Sequence, residues 1–296
     1  MNKNIMTYIF TAFAALAWGL SFFATVLALE YFDPISLLSL RWGISALIFL
    51  ALYLTKIIKC DFKGKKKGML LVAGLVQPCL YSIFETTGIG MTSTSESAIM
   101  IALIPIFTMV VSTVIYKRKI TKEIVLAVII AFLGITISIY FSPNFSASGK
   151  IAGYFVLLGA VLCSAFYTNL INKSGEAFTP TEITFAISVM GGIFFTILNF
   201  IFGDELNTYY VFATNLEPLL GVLFLAVACS CLCYLAFNNI LTKFSPVVVT
   251  NVFNNSVTVI GIISGVIFAG DPFGWYIVVG AALTLTGISL TNRKAK

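Results

Sequence analysis

Apolar windows of about 20 residues, each long enough to cross a hydrocarbon core of about 30 Å, recur from one end of this chain to the other. Ten can be marked, at approximately 7–29, 35–55, 68–89, 95–116, 123–141, 151–172, 180–202, 217–241, 246–269 and 272–291. That recurrence leaves the fold little choice. In lipid every backbone N–H and C=O must be satisfied inside its own segment or in a closed barrel, and barrel strands would alternate polar and apolar residues as these windows do not. With 59% hydrophobic and 10% charged residues, the chain lacks the polar surface that a water-soluble body needs. The expectation is an all-α membrane protein of ten transmembrane helices.

The first window follows Lys3, as a secretory signal would. It is too long for one, and no small-residue cleavage pattern closes it before Glu30 and Asp33, so it reads as a retained span. The connections are short. Only 203–216 and the lysine-rich 56–67 have any size, which leaves no room for a soluble catalytic domain.

Basic residues give the orientation. Lys3, the 56–67 loop, Lys117, Arg118, Lys119, Lys122, Lys173, Lys243 and the tail (Arg293, Lys294, Lys296) fall on one face if there are ten spans, and only Arg41 and Lys150 fall elsewhere among the 18. The positive-inside rule makes that face cytoplasmic, with both termini inside. Glu30, Asp33, Asp204, Glu205, Glu217 and Asp271 lie opposite. The net charge of +6 is thus a topology signal and not a nucleic-acid footprint, and the lysine loop is placed to touch anionic membrane lipid. Short loops and richness in Lys, Ile and Asn point to a cell membrane of the bacterial cytoplasmic kind.

The two halves of the chain match. "LYSIFETTGI" in the third window aligns with "CYLAFNNILT" in the eighth, pairing Tyr81 with Tyr234, Phe84 with Phe237 and Glu85 with Asn238. "TVIY" and "FLGITIS" (113–116, 132–138) resemble "GVIF" and "LTGISL" (265–268, 285–290). Two repeats result, 1–145 and 146–296, of five spans each. An odd number of spans inserts the second repeat upside down, which is the inverted-repeat plan of secondary transporters, with a site near the midplane.

"AWGLSF" in the first window, Pro34 followed seven residues later by Arg41, "ALIPIF" with Pro105, and "FLGITI" stand in an order that resembles the drug/metabolite transporter superfamily, in particular its EamA-type ten-span members. The resemblance covers the whole chain and implies metabolite traffic, often efflux of amino acids or related compounds. Three departures stand out. Lys117, Arg118 and Lys119 occupy the end of span four, where the family usually has a Glu. Val257 stands where a counterpart of Pro105 would, and "LCSAFY" in span six has no partner for Trp18.

Side chains four apart share a helix face, so Gln77, Tyr81 and Glu85 form one row and Ser230, Tyr234 and Asn238 its equivalent. Asn251, Asn254, Asn255 and Thr258 give a third stripe; Trp18, Ser21 and Thr25 a fourth; Ser164, Tyr167 and Thr168 a fifth. Single Ser, Thr and Asn residues often serve only helix-to-helix hydrogen bonding. As a set they suit a cavity that mixes aromatic faces with amides. The candidate substrate-binding residues are Trp18, Ser21, Gln77, Tyr81, Tyr167, Tyr234, Asn251, Asn254 and Asn255. Glu85 and Arg41 lie at similar depth, and three roles stay open: an ion pair that gates or supports the site, a proton carrier or cation ligand at Glu85, or a carboxylate snorkelling to the headgroups. Glu96 reads as a helix-start carboxylate.

The cysteines read as small packing residues, and Gly261 to Gly265 as a G-x-x-x-G that packs helices within the chain. No phosphate-binding loop, metal motif or nucleophile elbow occurs, so neither a cofactor nor a metal is expected, and proton coupling is the energy source left open. The function expected is a secondary active transporter of small amphipathic metabolites, working as an exporter by alternating access. An importer or exchanger, or a non-transporting assembly subunit, are the alternatives. A membrane enzyme is disfavoured by the absence of His and the loop placement of most carboxylates. The partners expected are a small-molecule substrate and lipid, and a monomer satisfies the reading.

Overall fold

A computed structural model describes residues 3–115, 122–143, 150–175, 177–203 and 205–292. Lys117, Arg118, Lys119, Arg293, Lys294 and Lys296 lie outside the described residues. The helices are α1 (Lys3–Leu29), α2 (Pro34–Leu54), α3 (Gly68–Met91), α4 (Thr94–Ile115), α5 (Lys122–Tyr140) and α6 (Lys150–Ser174). They continue with α7 (Pro180–Phe202), a short α8 (Glu205–Thr214), α9 (Leu216–Leu241), α10 (Pro246–Phe268) and α11 (Trp275–Asn292). Eight are long and apolar enough to cross a bilayer; Val125–Tyr140 and Trp275–Leu290, the fifth and tenth windows, are apolar but shorter. The segment 203–216, expected as loop, holds α8, which rests Val211 and Phe212 on the core and donates a hydrogen bond from Thr208 Oγ1 to Ser36 Oγ at 3.0 Å.

Helix starts obey local chemistry. Pro34 and Pro180 open α2 and α7, where a missing N–H costs nothing. Asp33 caps α2, and Thr179 with Glu182 forms a capping box on α7. Glu96 does the same with Ser93 on α4, as a helix-start carboxylate should.

Three interruptions shape the interior. Residues Leu75–Tyr81 of α3 are wound as a π-helix that contains Pro78, and Phe224–Cys233 of α9 are π-helical without any proline. Such wider turns leave backbone groups displaced from the ordinary ladder and rotate the residues beyond them, and they recur at functional sites. In α4 the helix breaks between Ile101 and Ile104, just ahead of Pro105, which lacks the N–H and clashes with the preceding turn. With Val257 in place of a proline, α10 runs unbroken.

Packing relates the halves. Helix α2 lies along α7, and α5 along α11; α1 packs against α10 and α9, while α6 packs against α4 and α3. Each contact has a counterpart when α1–α5 are exchanged for α6, α7 and α9–α11. The α5–α11 seam is backbone to backbone, since a Cβ on Gly134 would sit 2.5 Å from the Gly280 carbonyl. Gly261 likewise presses α10 onto Ala98 of α4, where a Cβ would meet another at 2.6 Å, so the G-x-x-x-G is spent on packing within the chain. At the lysine-rich end the 56–67 loop folds over α7: Lys65 meets Glu182 at 2.7 Å and lies over the Phe178 ring at 5.2 Å, while Phe62 packs on Phe178 and Phe185. Burial, with Glu182 adding to it, pushes the Cys60 thiol up from its ordinary value. All six cysteines are free.

Candidate functional site

Helices α1, α2, α3, α4, α6, α9 and α10 surround an internal cavity of about 50 Å3. A water needs roughly 10–15 Å3 on this measure, so the space holds a few. Its aromatic wall is Trp18, which meets Tyr234 edge-on at 5.5 Å and Phe237 at 5.3 Å, with Phe22 beside them. Ile101 and Ile104 reach the cavity from either side of the α4 break, so the proline that interrupts the helix also shapes the lining.

The polar wall is built by α3 and α9. The π-helical stretch of α3 sets Gln77 and Tyr81 on the cavity, and the ordinary helix after it presents Glu85 one turn on. Tyr81 donates to Glu85 Oε1 at 2.6 Å, and Arg41 Nη1 stands 3.7 Å from Glu85 Oε2. Arg41 Nε donates to Ser230 Oγ of α9 at 2.8 Å, so one guanidinium ties α2, α3 and α9 together. From the opposite side, Gln77 donates to the Tyr234 hydroxyl at 2.6 Å. Arg41 and Glu85 are 5% and 9% exposed. Both side chains are thus enclosed by the helix bundle, where each relies on the other and on fixed hydrogen bonds, since a lone charge in such a medium costs several kcal/mol.

The sequence model of the EamA-like transporter family matches residues 5–140 and again residues 151–293. The chain belongs to that family. It is a multi-pass membrane transporter of the drug/metabolite transporter superfamily. An uncharacterized transporter of Bacillus subtilis, YcxC, is 24% identical over 98% of this chain and 94% of its own. An uncharacterized transporter of Archaeoglobus fulgidus is 25% identical over 97% and 99%. A solved crystal structure superposes with a TM-score of 0.71 at 13% identity, covering 97% of this chain and 96% of that one, and thus shares the fold.

Of the candidate binding, gating and coupling residues, this EamA-like chain gathers Trp18, Ser21, Arg41, Gln77, Tyr81, Glu85, Tyr167, Tyr234 and Asn254 around one cavity. It leaves out two. Asn255, next to Asn254 and therefore about 100° further round α10, borders a separate groove with Ser256, Val259, Ile260 and Leu285. Asn251 is buried away from the cavity, and Thr250 takes the lining position one turn before Asn254. The asparagine stripe is therefore divided between faces, because three amides spread over i, i+3 and i+4 span too wide an arc for one wall.

Asn238, the counterpart of Glu85, also stays off the lining. Its Oδ1 accepts from Tyr167 at 2.8 Å and its Nδ2 donates to Thr184 at 3.1 Å, which places it as a support for Tyr167. Phe22, Ile101, Ile104 and Phe237 escape sequence reasoning, since apolar lining residues carry no pattern that separates them from core; the break before Pro105 is the available signal for the two isoleucines.

Proposed function

We propose that this protein is a secondary active transporter of small amphipathic metabolites, amino-acid-like solutes among them, which it moves outward by alternating access. The observation that carries this reading is the buried ion pair of Arg41 and Glu85 beside an aromatic wall, in a cavity formed by helices from both parts of the chain. A charge pair kept so deep needs a use, and intramembrane ionisable groups mark solute paths. The architecture we infer is ten spans in two inverted repeats, 1–145 and 146–296, with both termini in the cytoplasm of a bacterial cell. The exchangeable contacts of the two halves and their π-helical stretches at matching positions support it. The chain acts as a monomer without cofactor, and a proton gradient acting through Glu85 supplies the energy.

Reconstitution tests this directly. Proteoliposomes loaded in turn with members of an amino-acid and metabolite panel should release at least one faster than protein-free vesicles, and a pH gradient should change the rate. Glu85→Gln should abolish that pH response. Flux equal to protein-free vesicles across the panel would reject the transporter reading for this site.

A further inference from the structure

The charged pair in the cavity is lopsided. Glu85 Oε1 accepts from the Tyr81 hydroxyl at 2.6 Å, and Oε2 faces Arg41 Nη1 at 3.7 Å, close enough for charge attraction but not for a made hydrogen bond. Arg41 is clamped at Nε by Ser230 at 2.8 Å, yet its Nη1 approaches Glu85 only to 3.7 Å, and its Nη2 donates to none of the described residues. A charge-assisted N–H···O contact closes to about 2.7–2.9 Å when it is fully made. The guanidinium is thus rigidly aimed and loosely satisfied, and it stands over Trp42 at 5.8 Å, which holds its plane.

A cation entering here would meet a carboxylate held at one oxygen by Tyr81 and, beside it, the like charge of a guanidinium fixed by Ser230. An oxyanion would meet the opposite situation: a buried planar fork with donors to spare, suited to two-point capture of a carboxylate. Arg41 and Glu85 are the charged members of the described lining, so no other group competes for either role. The remaining surface is apolar at Trp18, Phe22, Ile101 and Phe237, and one amide oxygen, Gln77 Oε1, is buried without a partner and awaits a donor.

We propose that the transported solute carries a carboxylate that takes Arg41 over from Glu85, the protein's own stand-in for that group. This rests on the transporter reading above and narrows it to one substrate class: a monocarboxylate with an apolar body, and a hydrogen-bond donor where it reaches Gln77. Glu85 then acts as a specificity residue by competition. Its bond to Tyr81 gives it a resting place on α3 when Arg41 is taken.

The test uses the whole protein in lipid nanodiscs, with its intrinsic tryptophan fluorescence, to which Trp18 in the cavity wall and Trp42 against Arg41 contribute, as the reporter and three optically silent probes of one skeleton: isovalerate, isopentylamine and isopentanol. Isovalerate should give the tightest saturable response. Glu85→Gln, which removes the competitor, should tighten isovalerate by about tenfold or more, the low end of what close charge pairs are worth, and leave isopentanol unchanged. A residue that only held the fold would weaken all three. Should Glu85→Gln not fold, Arg41→Gln with Glu85→Gln leaves no charge unpaired and must bind isovalerate no better than isopentanol. Preference for the amine, weaker isovalerate binding in Glu85→Gln, or an isovalerate preference surviving in the double variant overturns the carboxylate assignment. So does silence towards isovalerate in a protein that moves uncharged or cationic solutes in vesicles. In these cases the transporter reading still stands; silence towards all three probes together with absent flux across the panel takes both away.

Discussion

Helices α3 and α9 do the same thing with different chemistry. Each carries a π-helical stretch, each sets a buried tyrosine at its end, and both tyrosines line one cavity. One turn later they part. In α3 the residue is Glu85, paired with Arg41; in α9 it is Asn238, which holds Tyr167 and Thr184. The helix supplying the cation diverges as well. Pro34 opens α2 and Pro180 opens α7, but seven residues on, where α2 has Arg41, α7 has a fully buried Ile187. A duplicated scaffold therefore holds a site whose charge lies wholly in one half. Matching positions in the two stretches thus carry different side chains, and the charge follows the side chains.

The largest way to break this comparison is to strip one charge. Arg41→Leu leaves Glu85 buried without its partner and should cost about 3–5 kcal/mol, read as a fall in the thermal midpoint of the purified protein. Adding Glu85→Leu should recover most of that loss, because an apolar pair of similar volume replaces the ion pair. No recovery would mean that Arg41 is needed chiefly for its bond to Ser230. Next in size, Asn238→Leu strands the Tyr167 hydroxyl, while Thr184 keeps its bond to the Pro180 carbonyl, and a cost of about 1–3 kcal/mol is expected by the same measurement. A neutral outcome would show that the α9 side does not depend on its amide. The smallest effect should come from Pro78→Ala. Since α9 makes its π-helical stretch without a proline, the turn in α3 should persist, and the midpoint should shift by less than about 1 kcal/mol in equivalent stability. A larger loss would mean that the two stretches have different causes.

The legible parts of the fold are those that sequence patterns encode directly. Long apolar windows fix helices because lipid permits nothing else, so α7 coincides with the window 180–202 and α10 with 246–269. Proline at 105 marks the break in α4, and its absence at Val257 marks the continuity of α10. The pairing of Tyr81 with Tyr234 is readable because aromatic and polar residues are rare landmarks in an apolar background.

Rotation about a helix axis is read less well. A π-helical stretch shifts the register of everything after it, and no residue type in Phe224–Cys233 announces one. Thus Asn238 can be aligned with Glu85 yet not oriented, and Asn255 shares a stripe with Asn254 in the sequence but not a wall in the structure. Helix α8 is hidden for another reason: at ten residues it lies below the length at which apolar windows speak.

The contact between α5 and α11 brings main chain onto main chain at Gly134 and Gly280, with only the short side chains of Ser138 and Thr284 beside it. A join of main chain and short hydroxyl side chains has few rotamers with which to absorb sliding, and closely packed backbones pass one another only by separating first. The join therefore works as a latch on register: any sliding of α5 along α11 would first have to part Gly134 from Gly280.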